Sequence, residues 1–275
     1  MPTAKVGDIN VYYEVHGEGE ALVLISGYTG SSAMWTLSTP IFSKEYRVVI
    51  FDNRGTGRSD KPDIPYTMDM MADDVVGLLD TIGIDAAHIC GVSMGGFITQ
   101  NIVLRHPERV ISLVLACTNC GGTHQVAPDA KVVGQAFDLE RAQKLTPEEN
   151  LRVMLPFMCS QQFIDNNPGI IEQFVVKSTE YPTPLHGSIR QGLAMPTHDT
   201  YDRLPEINAP TLVVSGDADK IIPVGNSKLL ADRIPDAELV ILENMGHGFF
   251  IEAADEFHKT VLDFLKRHPR SGQVL

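Results

Sequence analysis

Residues 88–97 read HICGVSMGGF, and this stretch decides the fold. Its apolar first half predicts a buried strand, and the pattern that starts at Met94 predicts a helix. Ser93 stands between them, with Gly91 and Gly95 two positions away on either side. A strand that turns directly into a helix crowds its neighbours, so only small residues fit there. The G-x-S-x-G pattern in this setting predicts a nucleophilic serine on a sharp strand-to-helix turn.

Further apolar runs on both sides of this stretch predict a sheet. They cover residues 21–26, 46–51, 110–117, 211–215 and 237–242, and residues 4–16 suggest a strand pair joined at Gly7-Asp8. Helical periodicity separates the runs, at residues 67–82, 94–106, 225–234 and 254–267. Runs that are apolar on both faces suit strands covered on both sides. Strands that alternate with helices therefore predict an α/β fold with a mostly parallel sheet.

The alternation stops between residues 119 and 204, where only helical signals occur. Thr146-Pro147-Glu148-Glu149 has the form of a capping box with proline at the first helical position. We interpret residues 1–118 and 205–275 as the core domain and residues 119–204 as a helical cap over one end of the sheet. The methionine and phenylalanine content of this insertion indicates that some of its side chains line an apolar substrate cavity.

The composition and the first residues indicate which partners and which cellular compartment to expect. The net charge of −13 disfavours nucleic acid as a partner, because a phosphate backbone would repel this chain. The first residues, MPTAKVGDIN, show no signal peptide, and no apolar run is long enough to span a membrane. We therefore expect a cytoplasmic protein, with a homo-oligomer possible. Cys117 and Cys120 form a lone C-x-x-C, which favours buried reduced thiols over a metal or redox site.

A serine hydroxyl becomes a good nucleophile only beside a base that an acid orients. Of nine histidines, His247 is the best base, because it lies between two glycines just past the run at residues 237–242. His124, His186 and His198 belong to the insertion and could contact substrate. The loop GDADKIIP offers Asp217 and Asp219 as the acid, and the residues alone do not separate the two. These loops all follow strands, and in parallel sheets the carboxyl ends of the strands share one edge.

The chain resembles α/β-hydrolases of the esterase and lactonase type over essentially its whole length. The resemblance rests on six segments: SGYTGSSAMW from Ser26, FDNRGTGRSDKP from Phe51, GVSMGG from Gly91, RHPERVISLVLA from Arg105, GDADKIIP from Gly216 and GHGFF from Gly246. It implies an eight-stranded sheet, a triad of Ser93, Asp219 and His247, and a bracing role for Asp217. It also implies an oxyanion hole made by the backbone N–H groups of Tyr28 and Met94.

This resemblance also narrows the range of reactions that we expect. It implies hydrolysis of a small-molecule ester or lactone without a metal or organic cofactor. We rank a carboxylesterase for a small, largely apolar substrate first and a lactone hydrolase of the enol-lactonase type second. Carbon–carbon bond hydrolases and cofactor-free haloperoxidases share the same motifs. A small-molecule receptor with slow or absent turnover is the alternative from a different class, because a fold does not fix a function.

Overall fold

The computed structural model describes residues 2–270, which contain one eight-stranded sheet. Its strands are β1 (Thr3–Val6), β2 (Ile9–His16), β3 (Ala21–Ile25), β4 (Arg47–Phe51), β5 (Ala87–Val92), β6 (Val110–Ala116), β7 (Thr211–Gly216) and β8 (Glu238–Leu242). The order across the sheet is β1-β2-β4-β3-β5-β6-β7-β8. The pairs β1–β2 and β2–β4 are antiparallel, and all other neighbours are parallel. The predicted mostly parallel eight-stranded sheet is therefore confirmed.

Twelve α-helices connect or extend these strands within residues 2–270. They are α1 (Thr39–Phe42), α2 (Met68–Thr81), α3 (Met94–Arg105), α4 (Ala130–Ala136), α5 (Leu139–Ala142), α6 (Pro147–Met158), α7 (Gln161–Asn166), α8 (Pro168–Thr179), α9 (Leu185–Ala194), α10 (Gly225–Arg233), α11 (Phe249–Glu252) and α12 (Ala254–Arg267). Helices α4 to α9 all lie between β6 and β7. The helical insertion thus exists, and its limits as a separate cap at residues 119–204 stay a prediction. None of the helices in the described part of the chain is both long and apolar enough to cross a membrane.

The apolar core has two halves, one on each face of the sheet. Successive side chains of β3 alternate between them: Val23 and Ile25 pack with α2 and α3, whereas Leu22 and Leu24 pack with α12. This alternation follows from the two-residue period of a strand. Because both faces are covered, all five residues of β3 are buried. The continuous apolar run in the sequence has this cause.

The turn between β5 and α3 has no room for larger side chains. A Cβ atom on Gly91 would lie 2.3 Å from the carbonyl oxygen of Gly95, and one on Gly95 would lie 2.2 Å from the carbonyl oxygen of Ile25. Both distances are far inside van der Waals contact. The glycines flanking Ser93 are therefore required by the close approach of backbone to backbone at this turn.

A buried ion pair braces the loop after β4. The Arg54 guanidinium bonds both oxygens of Asp74, at 2.7 Å each, and also bonds Asp8. Arg54 and Asp74 are both buried, so each needs the other to offset the loss of solvation. Gln191 of α9 donates to the Arg54 carbonyl oxygen at 2.8 Å. The loop after β4 and the helical insertion are thus held together next to the carboxyl ends of the strands.

Candidate active site

Three predicted site residues follow three parallel strands at the same edge of the sheet. Ser93 follows β5, Asp219 lies in the loop after β7, and His247 lies in the loop after β8. The strands β5, β6, β7 and β8 are consecutive and parallel, so their carboxyl ends all open on one rim. Residues separated by more than 150 positions in the sequence therefore share one rim of the sheet.

Ser93 occupies a strained turn. Its φ is 57° and its ψ is −120°, a conformation that non-glycine residues rarely adopt. Hydrogen bonds on both sides hold it, because its N–H donates to the Ala116 carbonyl at 2.9 Å and its carbonyl accepts from Thr118 Oγ1 at 2.9 Å. Within residues 2–270 the Ser93 hydroxyl makes no hydrogen bond of its own, to His247 or to any other group. The backbone is fixed, and the hydroxyl is left available.

Asp219 and His247 form a buried hydrogen-bonded pair. Oδ2 of Asp219 lies 2.7 Å from Nδ1 of His247, and both residues are at most 6% exposed. The other carboxylate oxygen accepts the N–H groups of Ile221 and Ile222, each at 2.8 Å. These two bonds fix the carboxylate plane, so the aspartate holds the imidazole in one tautomer, with the proton on Nδ1. An imidazole held in this way keeps Nε2 free to accept a proton.

Asp217 has different surroundings from Asp219. Its side chain is exposed and accepts the Asn244 N–H at 2.6 Å, and its own N–H donates to the Leu242 carbonyl at 3.1 Å. These contacts tie the loop after β7 to the loop after β8. The geometry thus brings Asp219 to His247 and leaves Asp217 in a bracing position. The sequence alone could not make this distinction.

The insertion supports the loop that carries His247. The Gly248 N–H donates to the carbonyl of Met158, the last residue of α6, at 2.7 Å. A Cβ atom on Gly246 would lie 2.5 Å from the same carbonyl oxygen. The two glycines beside His247 are therefore needed for the close contact with α6. This contact was not predicted from the sequence.

The surroundings of His247 change its affinity for a proton. Burial disfavours the charged imidazolium, whereas the carboxylate of Asp219 favours it, and the pKa of His247 is raised above its ordinary value. Burial also raises the pKa of Cys117, so near pH 7 its sulfur is a neutral thiol. The negative charge that faces His247 is therefore that of Asp219.

This shift gives an expected pH dependence. A general base must be neutral, so activity should be lost as the pH falls through the pKa of His247 and gained as the pH rises above it. We expect kcat/KM for a neutral ester, measured from about pH 5 to about pH 9, to rise with an apparent pKa above the ordinary imidazole value of about 6.5. An acid limb centred at or below that value would contradict the assignment of His247. Thermal unfolding measured over the same range is the control for loss of the fold.

Two backbone N–H groups lie beside the Ser93 side chain. A Cβ atom on Gly27 would lie 3.3 Å from Cβ of Ser93 and 3.8 Å from its Oγ, so the chain before Tyr28 passes directly next to the Ser93 side chain. Met94 is the first residue of α3. Within residues 2–270 the N–H groups of Tyr28 and Met94 have no hydrogen-bond acceptor. Unpaired donors beside Ser93, one of them at a helix N-terminus, suit a developing oxyanion.

The other histidines of the insertion that could contact substrate have structural partners, and so does Arg190 of the same segment. His198 is buried, stacks on Phe97 with ring centroids 4.5 Å apart, and has a pKa that burial lowers to about 4. His186 lies 3.0 Å from the Lys61 carbonyl, and Arg190 pairs with Asp63 at 2.9 Å. His124 stacks on Tyr201 with centroids 3.6 Å apart. These contacts account for all four side chains without a substrate. Ser26, which stands where the resembled family has histidine, donates its hydroxyl to the Ser31 carbonyl at 3.0 Å.

Sequence reasoning missed one residue at the centre of the site. Cys117 is the first residue after β6, and its sulfur, a nitrogen of His247 and an oxygen of Asp219 all lie within 4.8 Å of one another. Thiol, imidazole and carboxylate are possible zinc ligands. Here, however, both Asp219 oxygens already accept hydrogen bonds, and burial keeps the thiol protonated. The carboxylate is therefore satisfied by His247 and by two backbone N–H groups, and a protonated thiol is a poor ligand for zinc.

Comparison with known proteins gives a consistent result. Residues 20–254 match the family model described as the alpha/beta hydrolase fold. A putative carbamate hydrolase RutD from Variovorax paradoxus is 31% identical over 269 residues, which cover 95% of this chain and 98% of that protein. The crystal structure of the enol-lactonase from Burkholderia xenovorans LB400 superposes with a TM-score of 0.85 at 29% identity, covering 96% of this chain and 100% of that one. A thermophilic esterase from Thermogutta terrifontis gives 0.84 at 26% identity, with 98% and 99% covered.

Proposed function

Because this chain belongs to the α/β-hydrolase fold family, we propose that it is a serine hydrolase that cleaves carboxylic esters of small, largely apolar substrates through an acyl-enzyme. The observation that carries the proposal is the buried hydrogen bond between Asp219 and His247, on the same rim as Ser93. A serine on a strained turn, an oriented imidazole and unpaired N–H donors are the parts that acyl transfer requires. The assignment of these roles is part of the proposal.

The reaction proceeds in two halves. Ser93 Oγ attacks the ester carbonyl while Nε2 of His247 takes its proton, and the N–H groups of Tyr28 and Met94 hold the resulting oxyanion. The imidazolium then gives the proton to the leaving alcohol, and the acyl group stays on Ser93. In the second half His247 deprotonates water, which attacks the acyl carbon and releases the acid and Ser93. The Ser93 hydroxyl does not yet bond His247, and such bonds often tighten only when substrate binds.

The insertion favours a substrate without charge. Each of its four arginines already has a partner. Arg152 and Arg203 pair with glutamates, Arg190 pairs with Asp63, and Arg141 donates to backbone carbonyls. Three of the four arginines are thus neutralised by carboxylates, and Arg141, whose Nε has no partner among the described residues, is held by backbone carbonyls alone. Near the site, Phe137 packs against Tyr28 with ring centroids 6.1 Å apart. An apolar acyl or alcohol group therefore suits these surroundings better than a carboxylate does.

A lactone hydrolase is the second candidate. A lactone is a cyclic ester, so the same nucleophile, base and oxyanion donors would open its ring. The structural similarity to an enol-lactonase over almost the whole chain supports this alternative. The chain is also similar to a protein named as a putative carbamate hydrolase, so a carbamate should be tested as a substrate beside the esters and the lactone.

A substrate panel separates these possibilities. We expect kcat/KM for p-nitrophenyl acetate and butyrate to exceed that for dihydrocoumarin and for a p-nitrophenyl carbamate by about tenfold or more, a difference of about 1.4 kcal/mol in transition-state binding. If kcat/KM for the lactone or for the carbamate exceeds the values for both esters, hydrolysis of that substrate class replaces the carboxylesterase proposal. Turnover of less than one equivalent per chain with every substrate would favour a receptor.

A matched pair of substrates tests the preference for neutral groups. Mono-p-nitrophenyl succinate resembles the butyrate ester in length but ends in a carboxylate. Because three of the four arginines of the insertion are already paired with carboxylates, we expect the butyrate ester to react with a kcat/KM about tenfold or more above that of the succinate ester. Equal values would show that a cation is available to the substrate.

A further inference from the structure

Cys117 holds an unusual backbone conformation at the rim of the site. It follows β6 directly, and its N–H donates to the Val214 carbonyl of β7 at 2.9 Å. Its φ is 41°, one of only five positive values at non-glycine positions in the described residues, and Ser93 has another. A non-glycine residue in this region costs on the order of 1–3 kcal/mol and persists only where surrounding contacts fix it. The chain is thus held so that it turns at Cys117.

The thiol of Cys117 lies beside the imidazole of His247 and the carboxylate of Asp219. Its sulfur lies within 4.8 Å of a ring nitrogen of His247 and of a carboxylate oxygen of Asp219. The side chain is completely buried. A neutral thiol is a weak donor and a weak acceptor. It can therefore contact the imidazole in both of its protonation states without adding a charge that competes with Asp219.

A single hydrogen bond does not fix an imidazole ring completely. The bond from Nδ1 of His247 to Asp219 anchors one atom, and the ring can still tilt about the axis of that bond. A second contact away from this axis prevents the tilt. The sulfur of Cys117 is near enough to both partners to supply it, since the three groups lie within 4.8 Å of one another.

We propose that Cys117 is a positioning residue that holds the imidazole of His247 at the tilt at which Nε2 faces Ser93. The inference rests on the proposed function, because it assigns His247 the role of general base. Small errors in the placement of a catalytic group are costly, since a displacement of about 1 Å can lower the rate by about 100-fold. The thiol acts through His247 and does not itself touch the substrate.

Kinetics of Cys117→Ala and Cys117→Ser test this role. We expect Cys117→Ala to lower kcat for p-nitrophenyl butyrate by about 10- to 100-fold with KM changed by less than about threefold, because substrate contacts remain. Cys117→Ser keeps a hydrogen-bonding group on the same Cβ atom. Its kcat should therefore be at least about tenfold higher than that of Cys117→Ala. The matched control is Cys120→Ala, which removes another fully buried thiol and should change kcat by less than about threefold.

A spectroscopic measurement is independent of turnover. The proton between Nδ1 of His247 and Asp219 gives a low-field NMR resonance, which should shift or broaden in Cys117→Ala and stay in place in Cys120→Ala. An unchanged resonance together with wild-type kcat in Cys117→Ala would overturn the inference. So would a serine variant that is no better than the alanine variant. If Ser93→Ala retains activity, the proposed function fails, whereas the resonance still reports whether Cys117 holds the ring.

Discussion

Replacing Ser93 by alanine is expected to lower kcat for p-nitrophenyl butyrate by about 10⁵- to 10⁶-fold, the scale of loss that accompanies removal of a triad nucleophile. The variant has no hydroxyl to form the acyl-enzyme, and the thiol of Cys117, which lies beside His247, is fully buried and protonated. The residual rate should come from the N–H donors and from substrate binding, so KM should change little.

The control for this experiment is Ser215→Ala. Ser215 is a buried serine in β7, one residue before the strand ends, and its hydroxyl donates only to the neighbouring Gly216 carbonyl, at 3.3 Å. Its loss should leave kcat within about threefold of the wild type. Equal thermal unfolding temperatures for the two variants would show that the fold is kept. Retention of more than about a tenth of the activity by Ser93→Ala would mean that another residue is the nucleophile.

The sheet was predictable because its signals are local. Each parallel strand is covered on both faces, so it appears in the sequence as a continuous apolar run, and β3 is buried at every position. The turn at Ser93 was predictable because its glycines meet backbone atoms. The start of α6 was predictable because Thr146 and Glu149 cap each other across three residues. In each case the pattern itself lies within a few neighbouring residues, even where the contact that requires it, such as that of Gly95 with the Ile25 carbonyl, is distant in the sequence.

Cys117 was not predictable for the opposite reason. The sequence places it at the end of an apolar run, where it looks like one more strand residue. In the structure β6 ends at Ala116, whose carbonyl accepts the Ser93 N–H, and the chain turns at Cys117, whose N–H donates to the Val214 carbonyl. The contact of Gly248 with Met158 depends in the same way on a distant helix. Such contacts join segments that are far apart along the chain and leave no periodic signal.

Asp219→Asn is expected to lower kcat by about 10⁴-fold, the loss seen when a triad aspartate becomes asparagine and the histidine takes the wrong tautomer. The asparagine oxygen can still accept the N–H groups of Ile221 and Ile222, which now bond Asp219 at 2.8 Å. Its amide would then present N–H, rather than an acceptor, to Nδ1 of His247. The proton would have to move to Nε2, the atom that must receive the proton of Ser93.

Asp217→Asn provides the matched comparison, since it makes the same chemical change two residues away. Asp217 is exposed and accepts only the Asn244 N–H, which an asparagine oxygen can also accept, so kcat should stay within about threefold of the wild type. The pH profile adds a second criterion. The Asp219 carboxylate helps to raise the pKa of His247, so its neutralisation should move the acid limb of the residual activity to lower pH, whereas Asp217→Asn should leave it in place. If Asp217→Asn proves to be the inactive variant and Asp219→Asn the active one, the acid has been assigned to the wrong side chain, and the hydrogen bond to His247 has only a structural role.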